Sequence, residues 1–385
     1  MCECKTTVIC LLDKKFPPEH SFVDGMLSNE LANEKNINVM LIVSSGKAEQ
    51  KVYKYNKAVC LPVLKKRSGL SRFKNAVILV PLLNKLIKRK KRAGHRIVLF
   101  VRNEPVYLCI ASLLSNKVDR LIFQQSFPHE CGNTNILKKL LAIKMFKASS
   151  KKVDSIMAVS PMGLKRLRNY FGKTKGIYIP LLGHQGERID EGNPYFNAPV
   201  AKPYRFVYIG THAKSRELGK ILGAIKLACS SNIKASFTFI GGRKEDIDRL
   251  SSIPGIQELI EKKIIVFRER INRGDLLKEL PKYHIGLCLI PPNPTYQESS
   301  PTKLAEYMNC GLAVLASKGI PLQEKFITDS NGGILTKWSE KSIADTIIEL
   351  CSGKININTL RKNALSYSVK NLDYKQYVDE FKDIL

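Results

Sequence analysis

The sequence predicts an α/β protein built from two Rossmann-like domains, each a doubly wound parallel sheet, that face a common cleft. Short apolar runs alternate with helix-like segments along the chain, which is typical of a parallel sheet covered on both faces. The alternation comes in two series, separated by a polar stretch with glycine and proline, GHQGERIDEGNPYFNAPVAKP. A chain of 385 residues is long enough for two separate cores.

The domain boundaries follow from this alternation. We expect an N-terminal domain at residues 1–187, a linker at 188–203, a C-terminal domain at 204–365 and a final amphipathic helix at 366–385. The expected strands of the first domain are Thr7–Leu12, Val39–Val43, Ile97–Val101, Leu121–Phe123, Ser155–Val159 and Gly176–Ile179. Those of the second are Phe206–Ile209, Ser236–Ile240, Ile264–Phe267, Gly286–Ile290, Ala313–Ala316 and Gly333–Leu335.

The segment PPNPTYQESSPTKLAEYMNCGLAVLAS, residues 291–317, carries the strongest local signals. Ser300 is a good N-cap, and Pro301 suits the first position of a helix. Gly311 is a typical residue just beyond a helix, before the apolar strand at Ala313. Because the amides at a helix N-terminus are free and partly positive, the start of this helix is predicted to receive a phosphate or diphosphate.

Two carboxylates, Glu298 and Glu306, flank this predicted anion site. Ionised carboxylates only accept hydrogen bonds, so they suit a ligand that carries hydroxyl groups as well as phosphate. A nucleotide-sugar has both groups. An isolated pair at this spacing is common by chance, whereas Ser-Pro, Lys303, Gly311 and a buried strand around it make the pattern more specific.

With Glu298-SSPTKLA-Glu306 followed by YMNCG and LAVLAS, the chain resembles the retaining GT-B glycosyltransferases, family 4 (group 1) in particular. The resemblance implies that Glu298 holds the hydroxyls of the donor sugar and that Glu306 holds the ribose. It also implies that the donor is bound by Ser299, Ser300, Pro301, Thr302 and Lys303. It further implies a metal-independent enzyme without a bound cofactor, and a last helix that crosses back to the first domain.

The loop after the first strand of the second domain supplies further donor ligands in the resemblance. Gly210 ends the strand, and an arginine usually follows it, where this chain has Thr211. Arg216 occupies the later basic position and is expected to bind the diphosphate, with Lys214 as its substitute. A solvated loop charge is the alternative for both. The resemblance places the nucleobase against the backbone near Arg268.

A histidine is the side chain best suited to share a proton near neutral pH. The resemblance points to His129, in FQQSFPHECGN, close to the donor sugar and the attacking hydroxyl, and His20 competes for that role. Asp246 and Asp248 form an Asp-x-Asp pair, but residues two apart on a helix do not face the same way. No metal site is therefore predicted.

The charge is unusual: 63 basic against 34 acidic residues give a net charge of +29. Residues 51–103 contain 16 Lys or Arg and no acid, and NILKKLLAIKMFKASSKK is also acid-free, with Ile136, Leu140, Ile143 and Phe146 at helical spacing. Basic helices of this kind bind anionic membrane surfaces. The alternative is a helix with one core face and one solvated face.

These observations predict a glycosyltransferase that uses a nucleotide-sugar donor and a lipid-linked saccharide acceptor in bacterial-type surface polysaccharide or glycolipid synthesis. The longest apolar run, Ala76–Leu83, is too short to span a bilayer, so we expect a cytoplasmic protein, peripheral on the inner membrane face. One alternative is a nucleotide-sugar epimerase or hydrolase on the same fold. The other is a nucleic-acid-binding protein, which the charge suggests but for which no recognition motif is present.

Overall fold

The computed structural model describes residues 5–46, 48–65, 71–128, 130, 135–183, 188–190 and 192–385. The chain divides into two compact units by its internal contacts. The first unit comprises Met1–Leu181, Glu298–Ser300 and Tyr374–Leu385. The second unit comprises Leu182–Gln297 and Pro301–Asp373.

The first unit contains an eight-stranded sheet with the order β3-β4-β2-β1-β5-β6-β7-β8. Its strands are β1 (Thr6–Lys15), β2 (Ile37–Ser44), β3 (Tyr53–Tyr55), β4 (Ala58–Leu64), β5 (Arg96–Arg102), β6 (Arg120–Gln124), β7 (Ser155–Ala158) and β8 (Lys175–Tyr178). All neighbours are parallel except β3 and β4, which form an antiparallel pair. The carboxyl ends of the parallel strands therefore lie at one edge of the sheet.

Helices cover this sheet. They are α1 (Ser71–Arg92), α2 (Pro105–Leu113), α3 (Ile136–Ser149) and α4 (Pro161–Phe171), with a π-helical segment at Phe22–Glu30 and short 3-10 turns at Leu31–Asn33, Ser115–Lys117 and Ser150–Lys152. The sheet strands are almost continuous apolar runs because both faces are buried. The helices contribute single apolar stripes to the same core, such as Leu79, Leu83 and Ile87 of α1.

The second unit contains a six-stranded parallel sheet with the order β11-β10-β9-β12-β13-β14, the strand order of a doubly wound nucleotide-binding sheet. Its strands are β9 (Tyr204–Ile209), β10 (Ala235–Gly242), β11 (Ile265–Glu269), β12 (Ile285–Cys288), β13 (Ala313–Ser317) and β14 (Gly333–Thr336). In such sheets the order reverses between the first and fourth strands, here β9 and β12. Ligands bind beyond the carboxyl ends at that point.

The helices of the second unit vary widely in length. They are α5 (Pro194–Asn197), α6 (Leu218–Cys229), α7 (Lys244–Ser251), α8 (Ile256–Glu261), α9 (Arg273–Glu279), α10 (Pro294–Gln297), α11 (Thr302–Asn309), α12 (Pro321–Ser330), α13 (Glu340–Ser352) and α14 (Ile357–Asn371), with 3-10 turns at Lys214–Arg216 and Leu280–Lys282. Strand side chains and the apolar faces of α6 and α13 share one core, for example Phe206, Ile221 and Ile347.

The C-terminal tail differs from the expected single helix. α14 ends at Asn371, and the chain continues as a 3-10 turn, Tyr374–Tyr377, and a short helix, α15 (Val378–Lys382). This last part belongs to the first unit, where the Phe381 ring lies 5.5 Å from that of Phe100. The expected apolar face exists, but on two short helical segments instead of one helix.

The predictions of the fold class and of the individual strands are confirmed. All twelve expected strands are present, within a few residues at their ends, and the two parallel sheets have the expected class. Strands β3 and β4 were not predicted. Five cysteines are free thiols buried in the two cores, namely Cys10, Cys60, Cys288, Cys310 and Cys351. No helix among the described residues is both long and apolar enough to cross a bilayer.

Candidate functional site

Helix α11 lies in the segment that the sequence singled out, but it begins one residue late. Pro301 occupies the N-cap position, and the first helical residue is Thr302. Ser300 was predicted as the N-cap, which is wrong, because its Oγ instead accepts a hydrogen bond from the Leu181 amide at 2.8 Å. The first turn therefore has no side-chain cap. The Leu304 amide donates to the Pro301 carbonyl at 3.0 Å, which leaves the Thr302 and Lys303 amides for a ligand.

The end of α11 is as predicted. Gly311 has a φ of +65°, in the left-handed region that favours glycine, and its amide bonds the Met308 carbonyl at 3.1 Å. A Cβ at Gly311 would lie only 2.5 Å from the Phe196 ring. Glycine therefore meets both a backbone requirement and a packing requirement where the chain turns from α11 into β13.

Two glycines also form a close backbone contact at the carboxyl ends of β9 and β10. Gly210 and Gly241 have φ values of +133° and +116°, and a Cβ on Gly241 would lie 2.6 Å from the Gly210 carbonyl oxygen. Only glycine fits such an approach. The predicted residue Gly210 thus leads the chain into the loop that contains Thr211, Lys214 and Arg216.

Lys303, in the first turn of α11, lies beside this loop. Its Nζ is buried and has no hydrogen-bond partner among the described residues. It lies 3.8 Å from the centre of the Tyr208 ring and 3.8 Å from the place where a Cβ of Gly210 would be. Burial, together with a smaller effect of the Arg216 charge, lowers the pKa of the Lys303 ammonium to about 7. An anionic ligand would stabilise the charged form of an amine that is buried in this way.

The loop residues differ in their exposure. Thr211 and Lys214 are exposed, whereas Arg216 is half-buried, with its guanidinium 4.9 Å from the centre of the Tyr296 ring. Arg216 is thus held by the aromatic face near Lys303, as its electrostatic effect on that lysine also indicates. Of the two predicted basic ligands in the loop, Arg216 is therefore the better placed beside Lys303.

Glu306 and Arg268 each have an ion-pair partner that the sequence did not indicate. Glu306 is buried, and its Oε1 accepts from Arg273 Nη1 at 2.9 Å. Arg268 donates to Glu279 Oε1 at 2.7 Å. Arg273 begins α9, just after the β11 end where the resemblance places the nucleobase. The structure thus compensates the charge of Glu306 and holds its carboxylate in one orientation.

Glu298 belongs to the first unit together with Ser299, which is half-buried, and Ser300. Its Oε2 accepts from Arg166 Nε at 2.6 Å, while its carbonyl accepts from the Ser160 hydroxyl at 2.7 Å. Ser160 also caps α4 by accepting from the Gly163 amide. The start of α4 thereby fixes both the backbone and the carboxylate of Glu298, and no described residue bonds its Oε1.

Arg166 joins Glu298 to a second carboxylate. Its guanidinium also donates to Glu130, whose side chain is fully buried, and to Gln125 Oε1 at 2.7 Å. Gln125 Nε2 in turn donates to Glu130 Oε2 at 2.9 Å. We call these four residues the Arg166 network. No local pattern in the sequence predicts this network, because Arg166 is 132 residues from Glu298.

Two histidines were considered as proton carriers. One of them, His129, lies outside the described residues. His20 Nε2 lies 3.0 Å from a guanidinium nitrogen of Arg102, which can only donate, and its Nδ1 lies 3.2 Å from the Phe22 amide. Arg102 is itself buried, which lowers its pKa to about 10. His20 is therefore held between two donor groups.

The Asp-x-Asp pair lies on a helix, as predicted. Asp246 accepts from Arg249 at 3.0 Å within α7, whereas Asp248 is exposed. Across the described ranges, no group of three or more His, Cys, Asp or Glu side chains has an arrangement that could hold a metal ion.

His212 is a buried residue that the sequence did not single out. Its two ring nitrogens have no hydrogen-bond partner within the described structure, and the ring packs among Tyr208, Phe239 and Phe267. Burial lowers the pKa of His212 to about 4. Burial likewise lowers the pKa of His284 to about 3. Both side chains are therefore neutral at pH 7 and serve as core residues.

Stability should fall in mild acid because of these two histidines. The unfolded chain takes up protons near pH 6.5, whereas the folded chain resists them until about pH 4. Between pH 6 and pH 5 the free energy of unfolding should drop by roughly 2 kcal/mol in urea titrations. The His212→Leu variant should show a shallower pH dependence. An equal slope in the variant would mean that His212 is protonated in the folded protein or that other groups dominate.

Comparison with known proteins adds to this geometry. Residues 195–367 match the family described as Glycosyl transferases group 1. A search of curated proteins finds no significant match. The chain is similar in structure to sucrose-phosphate synthase from Thermosynechococcus elongatus, with a TM-score of 0.75, 13% identity and coverage of 99% of this chain and 98% of that chain.

Two further structures are similar over nearly the full length. One, described as trehalose-6-phosphate from E. coli bound with UDP-2-fluoro glucose, has a TM-score of 0.68, 10% identity and 98% coverage of both chains. The other is HepE from Anabaena in complex with UDP and glucose, with a TM-score of 0.66, 13% identity and coverage of 98% of this chain and 99% of that chain. The chain therefore has the GT-B fold, and its residues 195–367 match the glycosyl transferases group 1 family.

Proposed function

We propose that the protein is a retaining glycosyltransferase that moves a hexose-type sugar from a nucleoside-diphosphate-sugar to a lipid-linked saccharide. The observation that carries this proposal is Lys303. Its ammonium is buried without a hydrogen-bond partner among the described residues, at the start of an uncapped helix. A diphosphate would supply the missing partner and would also accept from the Thr302 and Lys303 amides at the start of α11.

The diphosphate is the leaving group, so negative charge grows on it as the bond from the sugar C1 to the phosphate oxygen breaks. Lys303, Arg216 and the start of α11 stabilise that charge, and Lys303 does so from a buried position, where electrostatic stabilisation is strongest. Lys214 is exposed and contributes less. These cations and dipoles perform the task without a metal ion, and no other cofactor is part of the proposal.

The two carboxylates divide the hydroxyl groups of the donor between them. Glu306, oriented by Arg273, accepts from the ribose, and Glu298, oriented by Arg166, accepts from the donor sugar through Oε1. Glu298 keeps the Arg166 cation on Oε2 and offers Oε1 to a ligand. The acceptor hydroxyl loses its proton as the new glycosidic bond forms. We assign the His129 imidazole as the group that accepts this proton.

The first donors to test contain uridine. The similar proteins from E. coli and Anabaena were seen with UDP-2-fluoro glucose and with UDP and glucose. The acceptor is assigned to the inner membrane face because the first unit carries the acid-free basic stretches. The reaction would then belong to surface polysaccharide or glycolipid synthesis.

A nucleotide panel tests this function directly. UDP, GDP, CMP, dTDP and their sugar conjugates should be compared by thermal unfolding, because a ligand that binds the folded state raises its stability. We expect one nucleoside diphosphate and its sugar conjugate to raise the Tm, and the Glu306→Ala variant to lose most of that shift.

A matched control for this test is Glu349→Ala, which removes an exposed carboxylate from α13 in the same unit. Its shift should equal that of the wild type. If no nucleotide stabilises the wild type while duplex or single-stranded nucleic acid does, the proposed function is wrong and the net charge of +29 indicates the partner.

A further inference from the structure

Helix α3 of the first unit leaves an apolar surface exposed. Ile136, Leu137, Leu140 and Leu141 are 70%, 77%, 57% and 49% exposed, although aliphatic side chains of this size are usually buried. At 100° per residue these four side chains fall on one side of the helix, opposite Phe146, which is buried in the core. We call this surface the α3 patch. The core therefore accounts for only one face of α3.

The charges around the α3 patch all have one sign. Residues 131–153 contain six lysines and no Asp or Glu. On the exposed side of the helix, the apolar residues occupy the first two turns, and Lys144 and Lys147 follow in the next two. Lys138 and Lys139 are exposed beside the patch. Apolar side chains next to cations, without an acidic residue among them, complement an anionic lipid surface.

The position of the α3 patch in the fold also matters. Strand β6 ends at Gln124, and the next residue, Gln125, belongs to the Arg166 network with Glu130. Helix α3 begins at Ile136 and returns the chain to β7, which is parallel to β6. The start of α3 therefore lies at the carboxyl edge of the sheet, the same edge as the network that fixes Glu298.

We infer that the α3 patch docks the protein on an anionic lipid bilayer. Ile136, Leu137, Leu140 and Leu141 enter the boundary between headgroups and acyl chains, and Lys144 and Lys147 remain among the lipid phosphates. This would present the carboxyl edge of the first unit's sheet, where the Arg166 network lies, to an acceptor anchored in the bilayer. The docking itself is independent of the proposed function; only the lipid anchor of the acceptor rests on it.

Vesicle flotation of the full-length protein tests this inference. The vesicles contain phosphatidylcholine alone or phosphatidylcholine with phosphatidylglycerol, at low and at high salt. We expect flotation with the anionic vesicles only. Leu137→Gln combined with Leu140→Gln should lower the partition coefficient roughly 100-fold, about tenfold for each leucine. Lys144→Gln combined with Lys147→Gln should lower it roughly tenfold at low salt and much less at high salt.

A matched control removes exposed aliphatic side chains from the second unit, Leu227→Gln with Val369→Gln, which are 49% and 48% exposed. This control should float like the wild type. The inference is overturned if the wild type does not float with anionic vesicles, or if the leucine variant floats equally well. It is also overturned if the leucine variant only changes a dimer to a monomer in sedimentation velocity, because a second copy would then cover the patch.

The same preparations separate this inference from the proposed function. A nucleotide-dependent Tm shift does not require vesicles. A protein that binds nucleotide but not vesicles contradicts the docking alone. A protein that floats but binds no nucleotide contradicts the proposed function alone.

Discussion

The Lys303→Met variant should be more stable than the wild type and should bind the donor about 100-fold more weakly. Methionine fills similar space beside Tyr208 but does not bring a charge into a buried position. Because burial lowers the pKa of Lys303 to about 7, the charged form costs free energy in the folded state, about 1.4 kcal/mol for each pKa unit. Loss of the cation–π contact offsets part of the gain, so we expect a net stabilisation of roughly 2 kcal/mol and a Tm several degrees higher.

The loss of affinity follows from the same position. Removing one partner of a buried charge pair weakens binding by roughly 2–5 kcal/mol, which includes the hundredfold change. Calorimetric titration with the selected nucleoside diphosphate measures it. In the wild type, Kd should be constant below pH 7 and should rise above it, because the free lysine loses the proton that the complex requires. The variant should lack this pH dependence.

Lys341→Met is the control for this experiment, since Lys341 is an exposed lysine of the same unit. It should change neither the Tm nor the affinity appreciably. A Lys303→Met protein that is less stable, or that binds the diphosphate as tightly as the wild type, would contradict the assignment of Lys303 to the donor.

The Arg166→Met variant should be strongly destabilised and should lose transfer activity while it still binds nucleoside diphosphate. The substitution leaves the fully buried Glu130 side chain without its guanidinium partner. Breaking a buried ion pair from one side costs about 3–5 kcal/mol. Glu298 also loses the contact that orients it, so we expect kcat/KM for transfer to fall by at least about 100-fold. Urea unfolding and a transfer assay measure the two effects.

Two further variants make the origin of these effects clear. Arg166→Met combined with Glu130→Gln should recover much of the stability, because the unpaired charge is gone, but little of the activity. Arg168→Met, an exposed arginine of the same helix, should resemble the wild type. If the double variant regains full activity, Arg166 acts only on stability and does not orient Glu298.

The strands were predictable because each is a short, nearly continuous apolar run, which a buried parallel strand requires. Strand β3, with the sequence Tyr-Lys-Tyr, has no such run, and β4 contains Pro62. Proline is tolerated there because β3 pairs only with Ala58–Cys60, so Pro62 lies beyond that pairing. The short length of β3 therefore decides whether proline is tolerated in β4. The sequence of β4 alone does not reveal that length.

The candidate site was predictable where the determinants are local. The positive φ of Gly311, the turn after Gly210 and the position of Lys303 at the start of a helix all follow from neighbouring residues. The contacts that set their chemistry do not. Ser300 does not act as the expected N-cap because it accepts a hydrogen bond from Leu181, 119 residues away. The burial of Lys303 depends on Tyr208, and the orientation of Glu298 depends on Arg166.

The contact between Gly241 and Gly210 limits how this protein can be re-engineered. A side chain at position 241 would push on the peptide that precedes Thr211 and would thereby move Lys214 and Arg216. The loop after β9 therefore cannot be exchanged independently of the loop after β10. A chimera that imports a loop with an arginine in place of Thr211 must therefore keep glycine at both positions 210 and 241.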